Sequence, residues 1–527
     1  MKTQLNFVEI LTCFCVWTSA NLYSLFKLTE AQSEILNGNN GDISKIRDLQ
    51  PGWGFIQRHR DVSDIEWSSW KYFIYTSLGY MILQFFISEI IRRLALPLLK
   101  YWYILSSTIF IVYKMGIRQL VIVLIQPILY GTIIFLGGNK QSVWLISLLL
   151  LGSYNSLKYK QFFWNYLEYE EMQDEEVYLI LFSVAWIELR CISYSIDYIE
   201  KRDKDETCTI SFWHDIINML SYILYLPLLY TGPVILYAEF EKSLKNKGGH
   251  LWLRLKQFIF DLFVFKLYTF ILDIAFHYFY FFAMQDNMEL IRKMPTIALC
   301  GGGLWMGLEF HMKYVISYGT TTAFAKLDNI ETPPMPRCIV RVHIYSQMWR
   351  YFDVGLYRFL VKYIYKPGLA IISKSLTLPK TAYKLLASLA TFVFIFMWHG
   401  TVWHIFVWSI LNYIGITLEH IGKELSKHKK YIWFKTNVLK TEKMEACLIA
   451  LLCTPLLALS AISNFYLFAG SEVGDLYFEC FLNPSLWNSL LISISLYCCC
   501  HVSMALVDVP SRGGTQTTVK MYENNSY

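Results

Sequence analysis

Long apolar runs separated by short polar turns dominate this chain. A helix that crosses a bilayer needs about 20 mostly apolar residues. Such runs fall near 7–28, 70–91, 96–114, 118–137, 142–158, 177–197 and 213–231, and again near 256–284, 296–324, 382–399, 401–421, 444–468 and 485–507. Several are interrupted at membrane depth, by Gln126 and Pro127, by Glu188 and Arg190, and by Glu309 with His311. Backbone exposed to lipid finds no hydrogen-bond partner, so these segments are expected as re-entrant or broken helices buried in protein. The pattern predicts an all-α polytopic membrane protein of about 10–12 transmembrane helices plus re-entrant segments. Residues 1–507 read as one transmembrane domain, with an early polar loop at 29–69 and a polar tail at 508–527. The first run lies where a signal peptide would, but no small-residue cleavage site follows it, so it is read as a retained span.

Composition agrees with lipid as the solvent. The 527 residues are 55% hydrophobic and 17% charged, where soluble domains carry about 25% charged residues. Aromatic residues make up 17%, a share suited to bilayer interfaces and apolar pockets. The net charge of +6 does not indicate a nucleic-acid partner, because the basic residues sit in short loops. The clearest such loop, Lys423 to Lys443, carries seven lysines and reads as cytosolic. The 12 cysteines form no C-x-x-C pair and no zinc spacing. Cys498, Cys499 and Cys500 read as packing residues or acylation targets.

An ionisable side chain within a span costs about 2.5–3.5 kcal/mol on insertion scales, which makes each one a functional candidate. The densest group runs from Arg337 to His404. His399 follows the apolar stretch Val393 to Trp398, and a neutral imidazole there suits proton transfer. As a lone residue, however, it is more often a core histidine bonded to a carbonyl. His404 is read as a poor metal partner for it, since five residues apart on one helix places the two on different faces. Asp353 lies in WRYFDVGL. It reads either as half of an ion pair with Arg350 or Arg358 or as an orienting acid at the end of a cavity. In Tyr222 to Phe240, Pro227 breaks a helix and Gly232-Pro233 makes a turn ahead of Glu239. That segment is either a cavity wall or a simple loop.

Together these segments resemble the membrane-bound O-acyltransferase superfamily, and within it the hedgehog acyltransferase branch with its insect members. The residues that carry the resemblance are Y-x-P-x-L-x-x-G-P at Tyr225 to Pro233, PPMPRC at Pro333 to Cys338, and MWRYFDVGLYRFL at Met348 to Leu360. They continue with FMWHG at Phe396 to Gly400, WSILN at Trp408 to Asn412 and SNFYLFAGSEVG at Ser463 to Gly474, so the core motifs span 222–474. WGFIQRHRDVSD at Trp53 to Asp64 also takes part.

The resemblance implies helices around a central catalytic tunnel and a multi-pass enzyme of the endoplasmic reticulum or Golgi membrane. Such an enzyme is a protein-cysteine N-palmitoyltransferase. It moves palmitate from palmitoyl-CoA to the N-terminal cysteine of a secreted signalling protein, Hedgehog-like or EGF-like, with membrane lipid as its other partner. By the same resemblance His399 is the catalytic histidine and Asp353 the essential aspartate. Trp349 and Arg350 bind the acyl-CoA, Asn464 lines the reaction chamber, and Cys338 matches a haem ligand. Three rival readings compete: a relative acting on a lipid hydroxyl or a peptide serine, a transporter, and a non-catalytic scaffold. His399 does not separate the first of these from a palmitoyltransferase. A transporter should show two similar halves with paired broken helices, and none is evident.

Overall fold

The computed structural model describes residues 5–37, 46–156, 165–166, 172–204, 212–246, 249–338, 342–483 and 485–506. The predicted tail at 508–527 and residues 38–45 of the early loop lie outside the described residues. The regular structure among the described residues is helical apart from one two-stranded antiparallel sheet, Leu49–Pro51 paired with His59–Asp61.

The long helices are α1 Phe7–Asn37, α2 Ile65–Leu94, α3 Leu99–Phe110, α4 Ile117–Phe135, α5 Lys140–Asn155, α6 Asp174–Arg202 and α7 Phe212–Ile223. The chain continues through α8 Leu251–Ala275, α9 Thr296–Leu327, and two short helices, α10 Tyr345–Tyr351 and α11 Val354–Leu360. It ends with α12 Lys380–His399, α13 Trp403–Leu425, α14 Glu442–Leu482 and α15 Leu486–Leu506. Among the described residues nine helices are long and apolar enough to cross a membrane. Helix α6 is the most enclosed of them, and α1 the least. One contiguous apolar core joins the bundle from Leu28 to Tyr477.

Several local expectations change. The interrupted segments are continuous helices, with Pro127 inside α4, Glu188 and Arg190 inside α6, and Glu309 and His311 inside α9. Gln126, Glu188 and Arg190 find hydrogen-bond partners across the bundle, so the backbone does not have to leave the helix there. Tyr130 donates to Glu188 at 2.7 Å, and Arg190 reaches the carbonyl of Ile223 at 2.9 Å. Lys313 pairs with Asp64 at 2.6 Å and Glu66 at 2.9 Å, and lies 3.6 Å from Glu309. The 213–231 run is not a span. Helix α7 stops at Ile223, and a buried non-helical stretch with a short 3₁₀ turn at Leu226–Leu228 follows. Arg190 donates to its Leu228 carbonyl and Thr321 to its Gly232 carbonyl, the latter at 2.9 Å.

The early polar segment is also more ordered than a loop. Helix α1 runs on to Asn37, and α2 starts at Ile65 behind Asp64, whose carboxylate caps it. Between them the sheet is pinned to the turn after α8. The Asp61 N–H donates to Phe276, the Ala283 N–H donates to the Asp61 carboxylate, and the Trp53 N–H donates to His277 Nε2. Glu9 at the start of α1 pairs with Lys443, so the N-terminus and the lysine-rich turn share one face of the bundle.

Candidate active site

His399 is the last residue of α12, and the chain turns immediately afterwards at Gly400. The φ of Gly400 is +128°, a conformation that side-chain-bearing residues rarely adopt, so glycine is what the turn requires. The expectation that His399 and His404 share a helix fails here, because the turn separates α12 from α13 and His404 belongs to α13. Two tryptophans flank the imidazole edge-on, with ring centroids 4.8 Å (Trp398) and 5.0 Å (Trp408) away. The ring is accessible, and the space it opens onto is a cavity. Neither ring nitrogen has a protein hydrogen bond among the described residues.

Asp353 sits between α10 and α11 and caps α11. Its carboxylate accepts from the Leu356 N–H at 2.8 Å and from the Tyr318 hydroxyl at 2.9 Å. Neither expected ion pair forms. Arg358 pairs with Glu239 at 3.2 Å, and the Arg350 guanidinium lies 6.0 Å from the Tyr357 ring centroid. The carboxylate therefore has a capping N–H and a phenol as its partners. Capping a short buried helix by Asp is favourable in itself, because it satisfies an otherwise orphaned N–H.

His399 and Asp353 line the same cavity, about 1640 Å³ in volume. Trp349 and Asn464 line it too, whereas Arg350 and Cys338 do not. The volume exceeds the roughly 300–1,000 Å³ of a single small-molecule site, which leaves room for two substrates. A chain of hydrogen bonds through Asn412 links three of the lining residues. The Trp349 indole donates to Asn412 at 3.0 Å, Asn412 donates to the Trp408 carbonyl at 2.9 Å, and the Trp408 indole donates to Asn464 at 3.2 Å. Apolar residues of α1, α14 and α15, such as Leu22, Leu457 and Leu491, line its other side.

Sequence reasoning did not single out Tyr318, although it holds Asp353 from α9. The spacing of Tyr314 and Tyr318 on a helix that also carries Glu309 was the available signal. Trp408 and Asn412 had entered only as part of a motif.

Cys338 is exposed. An exposed thiol has no enclosed apolar slot into which a flat macrocycle would bury. No group of three or more His, Cys, Asp or Glu able to hold a metal occurs among the described residues. Nothing among the described residues supports haem at Cys338, which does not line the cavity.

The chain is similar in sequence to known proteins. Residues 128–437 match MBOAT, the membrane-bound O-acyltransferase family. Over 520 residues the chain is 28% identical to the protein-cysteine N-palmitoyltransferase Rasp of Drosophila melanogaster, covering 98% of this chain and 99% of that protein. It is 25% identical over 519 residues to the protein-cysteine N-palmitoyltransferase HHAT of Mus musculus, covering 94% and 97%. It is also 24% identical to the HHAT-like protein of Mus musculus, over 70% of each chain.

Proposed function

From the premise that the chain belongs to the membrane-bound O-acyltransferase family, we propose that it is a protein-cysteine N-palmitoyltransferase. It transfers palmitate from palmitoyl-CoA to the N-terminal cysteine amine of a secreted signalling protein of the Hedgehog type, with EGF-like ligands a further acceptor class. The observation that carries this reading is the large cavity onto which His399 and Asp353 both open. Its largely apolar wall suits a sixteen-carbon chain, whose burial is worth about 0.8 kcal/mol per CH₂. A cavity within the bundle lets a cytosolic acyl donor meet a lumenal acceptor without either crossing the membrane, a role that fits the endoplasmic reticulum or Golgi membrane.

In the reaction the amine nitrogen attacks the thioester carbonyl, the C–S bond breaks, and the CoA sulfur leaves. His399, with both ring nitrogens unengaged by the described protein groups, takes the proton that the amine gives up and can return one to the leaving thiolate. Asp353, fixed through Tyr318 and the start of α11, orients the polar end of the chamber. Trp349 and Asn464 shape the wall between them, and Arg350, which does not line the cavity, is assigned to acyl-CoA binding by the family resemblance alone. No step passes through Cys338.

The test uses purified protein, labelled palmitoyl-CoA and a peptide that begins with a free cysteine. Wild type should label the peptide and His399→Ala should not. Equal transfer by the two would remove His399 from the chemistry. Labelling that survives acetylation of the peptide's amine would show that the acceptor is not the amine.

A further inference from the structure

Because no protein hydrogen bond among the described residues holds the His399 ring, its position rests on the two flanking indoles and on the backbone on either side. The end of a helix is a poor anchor, since the last carbonyls have no intrahelical partner. Here one residue from another helix supplies what is missing. Asn155, the last residue of α5, lays its carboxamide across the turn that carries His399. Its Nδ2 donates to the Met397 carbonyl at 2.9 Å and to the Leu151 carbonyl of its own helix at 2.7 Å. Its Oδ1 accepts from the Thr401 N–H at 2.8 Å. The two bonds to the turn therefore bracket His399 and Gly400. A Cβ added at Gly400 would lie 3.8 Å from Asn155 Oδ1, an ordinary contact, so the φ of +128° and not the carboxamide is what calls for glycine there. On the near flank, the Trp398 indole donates to the Ala185 carbonyl of α6 at 3.1 Å.

We propose that Asn155 is a positioning residue for His399. It ties the 397–401 turn to α5 and so sets where the imidazole stands in the cavity. The inference deepens the proposed function and rests on it, since it takes His399 as the group that moves the proton. The chemistry asks for asparagine specifically. The turn needs a donor for Met397 and an acceptor for Thr401 from one short side chain, and of the side chains of that length only a carboxamide offers both at that separation. Aspartate keeps the acceptor but has no donor. Alanine loses both, leaving two backbone groups of the turn without their partner.

The experiment compares wild type, His399→Ala, Asn155→Ala and Asn155→Asp in the palmitoyl-CoA and cysteine-peptide assay, with a melting temperature for each. A displacement of about 1 Å at a reacting group is worth up to about 100-fold in rate. Asn155→Ala should therefore lower kcat by about 10- to 100-fold, with KM for palmitoyl-CoA within about twofold of wild type. Asn155→Asp should fall between the two. A merely structural role would lower the yield and melting temperature of folded protein and leave kcat of the folded fraction unchanged, which would overturn the proposal. Where Asn155→Ala does not fold, Asn155→Asp carries the test, and wild-type kcat in that variant likewise overturns it.

The failure of the functional reading looks different. If His399→Ala is fully active, the role of His399 is wrong, whatever Asn155 does. The clamp itself is then judged on a structure of the alanine variant. An imidazole in its wild-type position there would refute the clamp, and a displaced one would support it.

Discussion

Gly355→Ala is the smallest change expected to disable the site without touching a group that meets substrate. Gly355 is the second residue of α11, immediately behind the Asp353 cap. A Cβ there would meet the Val234 carbonyl oxygen at 2.3 Å, with Val234 C and N both at 3.2 Å. These are backbone atoms of the buried stretch after α7, so no rotamer change relieves the contact. A carbon and a carbonyl oxygen normally approach to about 3.3 Å, so α11 and Val234 have to separate by about 1 Å. Because the Asp353 carboxylate is held by the Leu356 N–H at 2.8 Å, moving α11 moves the carboxylate with it. Overpacking of this kind costs about 1–3 kcal/mol, and a shift of about 1 Å at a reacting group costs up to about 100-fold in rate. Palmitate transfer by the purified variant should therefore fall by about one to two orders of magnitude, with a lower melting temperature in detergent. Gly79→Ala is the control, since nothing lies within 4 Å of its added Cβ. It sits on an exposed turn of α2, and alanine in a helix gains about 0.5–1 kcal/mol over glycine. Wild-type transfer and melting by Gly355→Ala would refute the idea that the stretch around Val234 rigidly backs Asp353.

Three further outcomes are expected. Asp353→Asn keeps a competent helix cap but removes the ionisable carboxyl, so the protein should fold while transfer drops by about 100-fold or more; single-turnover rates within threefold of wild type would count against a role for the carboxyl. Arg92→Met should cost about 3–5 kcal/mol in thermal unfolding, because it strips the fully buried Asp328 of the guanidinium that bonds its carbonyl at 2.7 Å and its carboxylate at 3.2 Å. Adding Asp328→Asn should recover part of that loss, and a double variant as unstable as the single would contradict the pairing. Burial pushes the Asp61 carboxyl up from 3.8 to about 6, against hydrogen bonds from Ser63 and Ala283. The folded state thus keeps a proton that the unfolded chain gives up, so this group's contribution is full below pH 3.8 and is lost as pH rises through about 6, by about 3 kcal/mol at most. Melting temperatures of wild type relative to Asp61→Asn should decline between pH 4.5 and 7, whereas parallel curves would exclude the effect.

The spans and the turn signals were legible because their causes are local. Transfer of a side chain into lipid is counted residue by residue, so Lys380–His399, Trp403–Leu425 and Leu486–Leu506 stand close to where hydropathy puts them. Pro227 and Gly232 likewise announced a break that needed no partner to be read. The same local reasoning misjudged Glu188, Arg190, Glu309 and His311. Whether a polar group breaks a helix in the membrane depends on what packs beside it, and Tyr130, the Ile223 carbonyl, and the Asp64 and Glu66 carboxylates that pair with Lys313 beside Glu309 come from distant parts of the chain.

The site divides in the same way. The sequence by itself determined that His399 and Asp353 are costly residues in apolar surroundings, inside motifs shared with an acyltransferase family. Only the tertiary structure decided that they face one cavity, that Tyr318 rather than Arg350 or Arg358 holds Asp353, and that Asn155, 244 residues away from His399, clamps its turn. Burial costs add up along the chain and can be summed from composition. A hydrogen bond across the bundle depends on distances of a few ångströms that are fixed only when every helix has packed.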